Sequence, residues 1–463
     1  MLLTDIPEVE EVESLSGAAR VPLRVPAETP PLVEMSATVP SRAAAPAPRP
    51  TLRIAVVTET YPPEVNGVAM TLARFVDGLR QRHHDVQLVR PRQHADDVAQ
   101  QGDHLDEVLV PGLPIPRYAH LKMGLPATRA LCRLWTQQRP DLVHLVTEGP
   151  LGWSALRAAR KLGLPVSSDF RTNFDAYSAH YGFGCLRAPI EAYLRHFHNR
   201  TLLTLVPTEA MRSRLGARGF QRLQVVARGV DTELFHPERR SDALRSRWGA
   251  GAQTQVVLFV GRLAPEKNLD TLVAAYQAMQ QAQPDSRLVL VGDGPAREAL
   301  QQQCPHAVFT GQRTGTDLAA HYASADVFLF PSITETWGNV TAEAMASGLV
   351  VLAYDCAAAG QLIRSGENGV LAPLYDAQSG DTHAFIRRAV RLATVRDDTR
   401  AMRQSARHTA AEWGWDRVVD QFEAALLHTA RSARCGATPA HADLPDELDA
   451  STCSDVILPR FGS

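Results

Sequence analysis

The fold is indicated by one stretch in the second half of the chain, Val327-Phe-Leu-Phe-Pro-Ser-Ile-Thr-Glu-Thr-Trp-Gly-Asn-Val-Thr-Ala-Glu-Ala-Met-Ala-Ser-Gly-Leu-Val-Val-Leu-Ala353. Its first four residues are apolar and β-prone, which predicts a strand. After a loop we expect a short helix from about Asn339 to Ser347, which Gly348 ends. A second strand, Val350–Ala353, completes the unit. This order of elements is typical of a parallel sheet covered by helices.

The same stretch carries two carboxylates. Glu335 lies in the loop, and Glu343 lies about one turn inside the helix. A helix N-terminus attracts anions through its unpaired N–H groups and its dipole, while carboxylates accept hydrogen bonds from hydroxyls. The pair therefore suits a phosphate between two polyhydroxylated groups, which is the layout of a nucleotide sugar. Alternatively, both residues are solvated charges near a helix start, where acids are favoured.

Short strands and helices alternate along most of the chain. The first series predicts strands at 52–57, 86–89, 142–146, 165–168 and 202–206, with helices at 71–81 and 151–162. The second predicts strands at 256–260, 287–291, 307–309, 327–330 and 350–353, with helices at 269–279, 296–302 and 339–347. Two such series predict an α/β protein of two doubly wound domains that face each other. Ligands of such sheets bind beyond the carboxyl ends of the strands.

The composition excludes several classes of protein. A chain of 463 residues exceeds one typical core, and 45% apolar with 21% charged residues is typical of a globular protein. No apolar run approaches the ~18 residues of a membrane span, and the first residues do not resemble a signal peptide. We therefore expect a cytoplasmic protein. The six cysteines are scattered without a Cys-x-x-Cys pair, which argues against a disulfide framework and a zinc site.

The charge is distributed unevenly. Residues 51–228 contain 23 Lys and Arg against 15 Asp and Glu, a balance of +8, which leaves −10 of the total of −2 for the remainder. A basic half can attract an anionic partner or the inner face of a membrane, or it can be an Arg-rich surface with no partner. The aromatic interleaving of a nucleic-acid groove is absent from the sequence, so nucleic acid is not an expected partner.

The two ends of the chain differ from the middle. Residues 1–50 hold nine of the 31 prolines, and residues 431–463 are similar in character. Such segments bury too little apolar surface to offset the entropy of ordering. We predict that both are disordered tails.

Glycines and cations follow several predicted strands. Gly67 comes after the first strand and would let the backbone approach a ligand closely, although an ordinary turn would also use it. Arg262 and Lys267 follow the strand at 256–260 and could neutralise a diphosphate, or they could be surface charges. No Asp-x-Asp triplet is present, so no metal is expected. The Gly292-Asp-Gly294 stretch has Arg297 at the third glycine position, which disfavours a dinucleotide enzyme.

Together these residues resemble the GT-B-fold retaining glycosyltransferases with a Glu-x7-Glu motif. The resemblance rests on Gly67, on Gly261-Arg262 with Lys267, and on Glu335 and Glu343 with Gly338 between them. It is closest to the α-mannosyltransferases and the sulfoquinovosyltransferases, and it covers roughly residues 52–428. Two further segments resemble the family, Arg228–Pro237 at the entry to the second domain and Trp413–Leu426 in the final helix.

The resemblance implies a role for each motif. The expected catalytic residues are Arg262, Lys267 and Glu335, and the expected donor-binding residues are Gly67, Arg171, Gly338, Asn339, Val340 and Glu343. The two cations would clamp the diphosphate, while Glu335 would hold the donor sugar and Glu343 the ribose. The implied domains are an acceptor domain at 51–228, a nucleotide-sugar domain at 229–408, and a helix at 409–430 that crosses back to the first domain.

The implied reaction transfers a sugar, with retention, from a nucleotide diphosphate to an acceptor hydroxyl by a front-face mechanism without a metal or other cofactor. GDP-mannose is the expected donor and a lipid-linked molecule at the membrane surface the expected acceptor. The alternatives are transfer from a UDP-sugar, a sugar-nucleotide epimerase or hydrolase, and a non-catalytic protein that kept the fold.

One position departs from the family. The family usually has a histidine that contacts the donor sugar where this chain reads Asp169-Phe-Arg171-Thr-Asn-Phe174. A guanidinium is a permanent planar cation, so Arg171 does not substitute simply for an imidazole. We expect Arg171 to hold a sugar hydroxyl, to hold an anionic substituent, or to add to the phosphate clamp.

Overall fold

The computed structural model describes residues 50–64, 67–94, 96–115, 118–171, 187–374 and 381–434. The predicted tails therefore lie outside the described residues, apart from Pro50 and residues 431–434.

The first half of the chain forms one large sheet. Its strands are β1 (Arg53–Val57), β2 (Asp85–Pro91), β3 (Gln101–Gly102), β4 (Leu105–Val110), β7 (Leu142–Leu145), β8 (Val166–Asp169), β9 (Leu203–Val206) and β10 (Leu223–Val225). A separate hairpin consists of β5 (Gly112–Ile115) and β6 (Tyr118–Gly124). The sheet order is β10-β9-β8-β7-β1-β2-β4-β3, parallel except for the β3–β4 pair. The described helices are α1 (Gly67–Gln81), α2 (Thr128–Gln137), α3 (Pro150–Lys161), α4 (Arg187–His198) and α5 (Glu209–Ala217).

The central strand β1 is buried on both faces. Ile54 and Val56 join one apolar cluster with α1, whereas Ala55 and Val57 join a second cluster with α3. Because successive side chains of a strand point to opposite faces, a run of five mostly apolar residues supplies both layers.

The second half forms a six-stranded parallel sheet. Its strands are β11 (Gln255–Val260), β12 (Ser286–Val291), β13 (Val308–Gly311), β14 (Val327–Phe330), β15 (Val350–Tyr354) and β16 (Val370–Ala372), in the order β13-β12-β11-β14-β15-β16. Its helices are α6 (Asp242–Arg247), α7 (Leu269–Ala282), α8 (Arg297–Gln303), α9 (Gly315–Ala323), α10 (Asn339–Ala346), α11 (Ala357–Leu362), α12 (Thr382–Thr394) and α13 (Arg396–Ala411). The predicted α/β class with two Rossmann-like domains is confirmed.

The last helix, α14 (Trp415–Arg434), packs against the first sheet rather than the second. The ring of Phe422 stacks on that of Phe75 with centroids 4.1 Å apart. Beside them Glu423 accepts a hydrogen bond from His84 Nε2 at 3.0 Å, while His84 Nδ1 accepts one from the backbone N–H of Leu52. Residues 431–434, which we predicted to begin the tail, belong to this helix.

Candidate functional site

The carboxyl ends of β11 and β14 bring Lys267 and Glu335 together. The Lys267 ammonium forms an ion pair with Glu335 Oε1, which also accepts a hydrogen bond from Ser332 Oγ at 3.0 Å. The same ammonium lies 6.0 Å from the centroid of the Phe330 ring. Both charged side chains are 19% exposed, so the pair is half-buried yet reachable from solvent.

Arg262 begins the same loop as Lys267 but extends into solvent. Its side chain is 62% exposed, and its nearest carboxylate is that of Glu266, with Nη1 and Oε1 3.8 Å apart. An exposed pair of this kind contributes little to stability. The guanidinium can therefore turn towards a ligand at small energetic cost.

The start of α10 lies directly after Glu335. Gly338 has φ of +87°, a left-handed conformation that favours glycine, and its neighbour Glu335 Cγ would be in ordinary contact with a Cβ there. Asn339 and Val340 are the first residues of the helix, where backbone N–H groups have no partner within the helix. This geometry places the positive end of α10 beside the Lys267–Glu335 pair.

Glu343 lies one turn into α10 and contacts Tyr322. The Tyr322 hydroxyl donates a hydrogen bond to Glu343 Oε2 at 2.9 Å. Burial of the carboxyl raises the pKa of Glu343 to about 7, and the hydrogen bond from Tyr322 opposes that rise. The second oxygen, Oε1, is left to accept a further hydrogen bond.

Arg171 lies within the first half of the molecule. Its Nε donates to Asp169 Oδ2 at 2.6 Å, its Nη2 donates to the Val226 carbonyl at 3.3 Å, and its guanidinium lies over the Phe75 ring. The side chain is 1% exposed. Of the predicted donor-binding residues, Arg171 is thus the one whose charge is already engaged by a carboxylate at the end of β8.

Arg228 lies beside Gly67, although the sequence analysis gave it no role of its own. Its Nη1 lies 2.7 Å from where a Cβ on Gly67 would stand, at the first residue of α1. Burial and the nearby Arg171 lower the pKa of Arg228 to about 9, whereas the charges of Asp169 and Glu335 oppose that change. Residues of both sheets therefore meet around Arg228. The signal available in the sequence was its place directly before Gly229, in the segment that enters the second domain.

Neither a metal centre nor a membrane span is found in the described part of the chain. No three His, Cys, Asp or Glu side chains there are placed to hold a metal ion, and Cys132, Cys304 and Cys356 are free thiols. No helix of that part is both long and apolar enough to cross a bilayer.

Comparison with known proteins relates both halves to sugar transfer. Residues 254–394 match the family described as glycosyl transferases group 1, and residues 65–234 match glycosyltransferase family 4. A GDP-mannose-dependent alpha-mannosyltransferase of Mycobacterium tuberculosis is 38% identical over 70% of this chain and 84% of its own. A sulfoquinovosyl transferase of Arabidopsis thaliana is 30% identical over 68% of this chain and 62% of its own.

Among solved structures, the sucrose-phosphate synthase of Thermosynechococcus elongatus has a similar fold. The TM-score is 0.66 at 19% sequence identity, over 82% of this chain and 99% of that one.

Proposed function

Because this chain belongs to the group 1 glycosyltransferases of the GT-B fold and is a hexosyltransferase, we propose that it transfers mannose from GDP-mannose to an acceptor hydroxyl with retention at the anomeric carbon. The observation that carries the proposal is the Lys267–Glu335 ion pair beside the start of α10. A cation, a carboxylate and a helix N-terminus at one point match the diphosphate and the sugar hydroxyls of such a donor.

In the proposed complex the donor replaces the internal ion pair. The Lys267 ammonium turns to the diphosphate, together with Arg262 and the backbone N–H groups of Gly338, Asn339 and Val340. The Glu335 carboxylate then accepts hydrogen bonds from the donor sugar. Glu343 Oε1 accepts a hydrogen bond from a ribose hydroxyl, while Tyr322 holds Oε2.

The chemical step proposed is a front-face displacement. The bond from the anomeric carbon to the phosphate oxygen breaks, and a bond from that carbon to the acceptor oxygen forms on the same face. The acceptor proton passes to the departing phosphate oxygen. Arg262 and Lys267 stabilise the charge on that phosphate, and such preorganised groups can lower a barrier by about 3–4 kcal/mol each. In this proposal the two cations take the part that a divalent metal has elsewhere.

The donor base is proposed from the names of the relatives and the acceptor from the distribution of charge. GDP-mannose appears in the name of the mycobacterial relative. A UDP-sugar, the alternative donor of the sequence analysis, is the competing candidate. The basic first half supports an acceptor that is lipid-linked or carries phosphate.

A thermal-shift panel of nucleotide sugars, with and without EDTA, tests the donor and the metal independence together. We expect GDP-mannose to raise the melting temperature, unchanged by the chelator. A shift with UDP-sugars alone would mean that the donor is a UDP-sugar and not GDP-mannose. Loss of the shift in EDTA would contradict metal independence. NMR of the product would then decide retention, since an inverted anomeric configuration excludes the front-face step.

A further inference from the structure

Arg228 is a buried cation without a partner of its own. Its side chain has no hydrogen bond or ion pair with the described residues, its Nε is fully shielded from solvent, and the residue is 5% exposed. Burying an unpaired guanidinium lowers the stability of the folded protein. Such a residue is usually retained because its charge serves the function of the protein.

The backbone on either side of Arg228 is held firmly. The Val226 N–H donates to the Val206 carbonyl at 2.9 Å, and the Val230 N–H donates to the Trp413 carbonyl at 3.0 Å. Between them Gly229 packs so closely on Trp415 that a Cβ would lie 2.7 Å from its Cδ2. Arg228 is therefore preorganised by the segment that joins the two sheets.

The surroundings of Arg228 carry more positive than negative charge, which favours binding of an anion. The carboxylate of Asp169 forms a hydrogen-bonded pair with Arg171, so its charge acts on Arg228 only from a distance. The Arg228 guanidinium also lies at the first turn of the 15-residue helix α1, which is the positive end of that helix. On the other side, the Glu335 carboxylate is paired with Lys267.

We propose that Arg228 is a third cation of the diphosphate site, and that it binds the phosphate next to the donor sugar, between the first turn of α1 and the Glu335 loop. This inference rests on the proposed function. A guanidinium can present two parallel N–H donors to one phosphate group. The Arg228 guanidinium lies against Gly67, and the charge of Glu335, the residue proposed to hold the sugar, acts on it as well, which favours the sugar-side phosphate.

The test compares nucleotides that differ by that one phosphate. Isothermal titration calorimetry of GDP and GMP, and of UDP and UMP, is performed on the full chain, on Arg228→Gln and on Arg228→Lys. We expect Arg228→Gln to weaken the diphosphate about 10-fold or more and the monophosphate little. Arg228→Lys keeps the charge but loses the two-donor geometry, so we expect an intermediate loss.

Arg74→Gln is the matched control, because Arg74 is 49% exposed and pairs with Asp231 in the same joining segment. This variant also loses one positive charge, but at a position outside the site, so we expect its affinities for the diphosphate and the monophosphate to equal those of the parent. We also expect Arg228→Gln without ligand to melt at the same temperature as the parent chain or higher, since an unpaired buried charge is gone; a purely structural arginine would give a lower one.

The outcomes separate the two proposals. Equal affinity of Arg228→Gln and the parent for the diphosphate overturns the role of Arg228 alone. The same holds if the diphosphate and the monophosphate weaken equally, because the contact is then not with the sugar-side phosphate. If Arg228→Gln does not fold, unchanged diphosphate affinity in Arg228→Lys overturns the inference. A parent chain that binds neither GDP nor UDP overturns the proposed function as well.

Discussion

Lys267 and Glu335 neutralise each other in an ion pair. The pair keeps the ammonium and the carboxylate in place beside α10, and it removes the penalty of leaving either charge half-buried and alone. In the proposed complex the donor breaks this pair, so its phosphate and hydroxyl groups have to replace both partners. Ligands that offer only one of the two groups are expected to bind less well.

Loss of the ammonium tests the clamp directly. We predict that Lys267→Ala lowers turnover by about two orders of magnitude or more, because a preorganised charge at the leaving group is lost. Steady-state kinetics with the identified donor gives the measurement. Lys161→Ala, at an exposed position in the last turn of α3, is the control and should leave turnover unchanged. Near-normal turnover of Lys267→Ala would remove Lys267 from the clamp.

Glu343 gives a prediction of stability against pH. Its pKa in the folded protein, about 7, lies above the ordinary value of 4.5, so the folded state binds this proton more tightly than the unfolded chain. The stability that this carboxyl contributes is complete below about pH 4.5 and is lost as the pH rises through 7. Glu343→Gln stays neutral and keeps an acceptor for Tyr322. We therefore compare the free energy of unfolding of Glu343→Gln with that of the parent chain. We expect the difference in favour of the variant to be roughly 2 kcal/mol larger at pH 8 than at pH 5.5.

Chemical denaturation of both chains at the two pH values measures that gain. Glu298→Gln, an exposed carboxylate in the first turn of α8, serves as the control and should show no such growth with pH. A gain that is the same at both pH values would mean that the pKa of Glu343 is not raised.

At the level of elements, the buried apolar strands in the middle of both sheets were predictable. The short or polar strands towards the ends of the sheets and in the hairpin were not. All ten predicted strands are present, because continuous apolar runs such as 256–260 have no stable alternative to burial. The prediction missed β3 to β6, where charged residues, glycine and proline interrupt the pattern and only pairing with neighbours makes strands. It also missed the sheet-edge strands β10 and β16, which are three residues long each. α1 begins at Gly67 rather than Thr71, since its first turn carries little of the apolar periodicity.

The contact between α1 and α14 is close enough to be tested with one methyl group. A Cβ on Gly78 would lie 2.5 Å from Val419 Cγ1, and a β-branched side chain cannot easily move away. We predict that Gly78→Ala lowers the free energy of unfolding by about 1 kcal/mol or more, despite the better helix propensity of alanine.

Gly216→Ala is the counterpart in α5, because nothing lies within 4 Å of a Cβ there. The same substitution should raise the free energy of unfolding by up to about 1 kcal/mol. Urea denaturation of both variants gives the comparison. If Gly78→Ala is as stable as Gly216→Ala, the two helices are not packed as tightly as described.

At the scale of the whole molecule, the sequence could identify the motifs of the candidate site but not how the folded chain brings them together. Lys267, Glu335 and Glu343 lie close in sequence to strands whose carboxyl ends meet, so their meeting follows from the topology. The position of Arg228 depends on Trp415 and on the segment between the sheets, which only the folded chain brings together. No local pattern could therefore show that Arg228 approaches Gly67.

The uneven charge gives a prediction for the entire protein. With a balance of +8 in residues 51–228, we expect binding to vesicles of anionic lipid at low ionic strength and loss of binding as salt is added. Co-sedimentation at about 0.05 M and 0.5 M salt measures it, with vesicles of neutral lipid as the control. Absence of binding at both salt concentrations would count against an acceptor at a membrane surface.

The last helix has a consequence for how the chain is made. The apolar face around Leu72 and Phe75 is covered by α14, which leaves the ribosome only after the whole second sheet. At roughly 5–20 residues per second, the nascent first half waits roughly 10–40 s for the residues that cover it. During that time its hydrophobic surface is exposed and can bind chaperones or other nascent chains. The yield of folded protein should therefore depend on how quickly translation reaches Arg434.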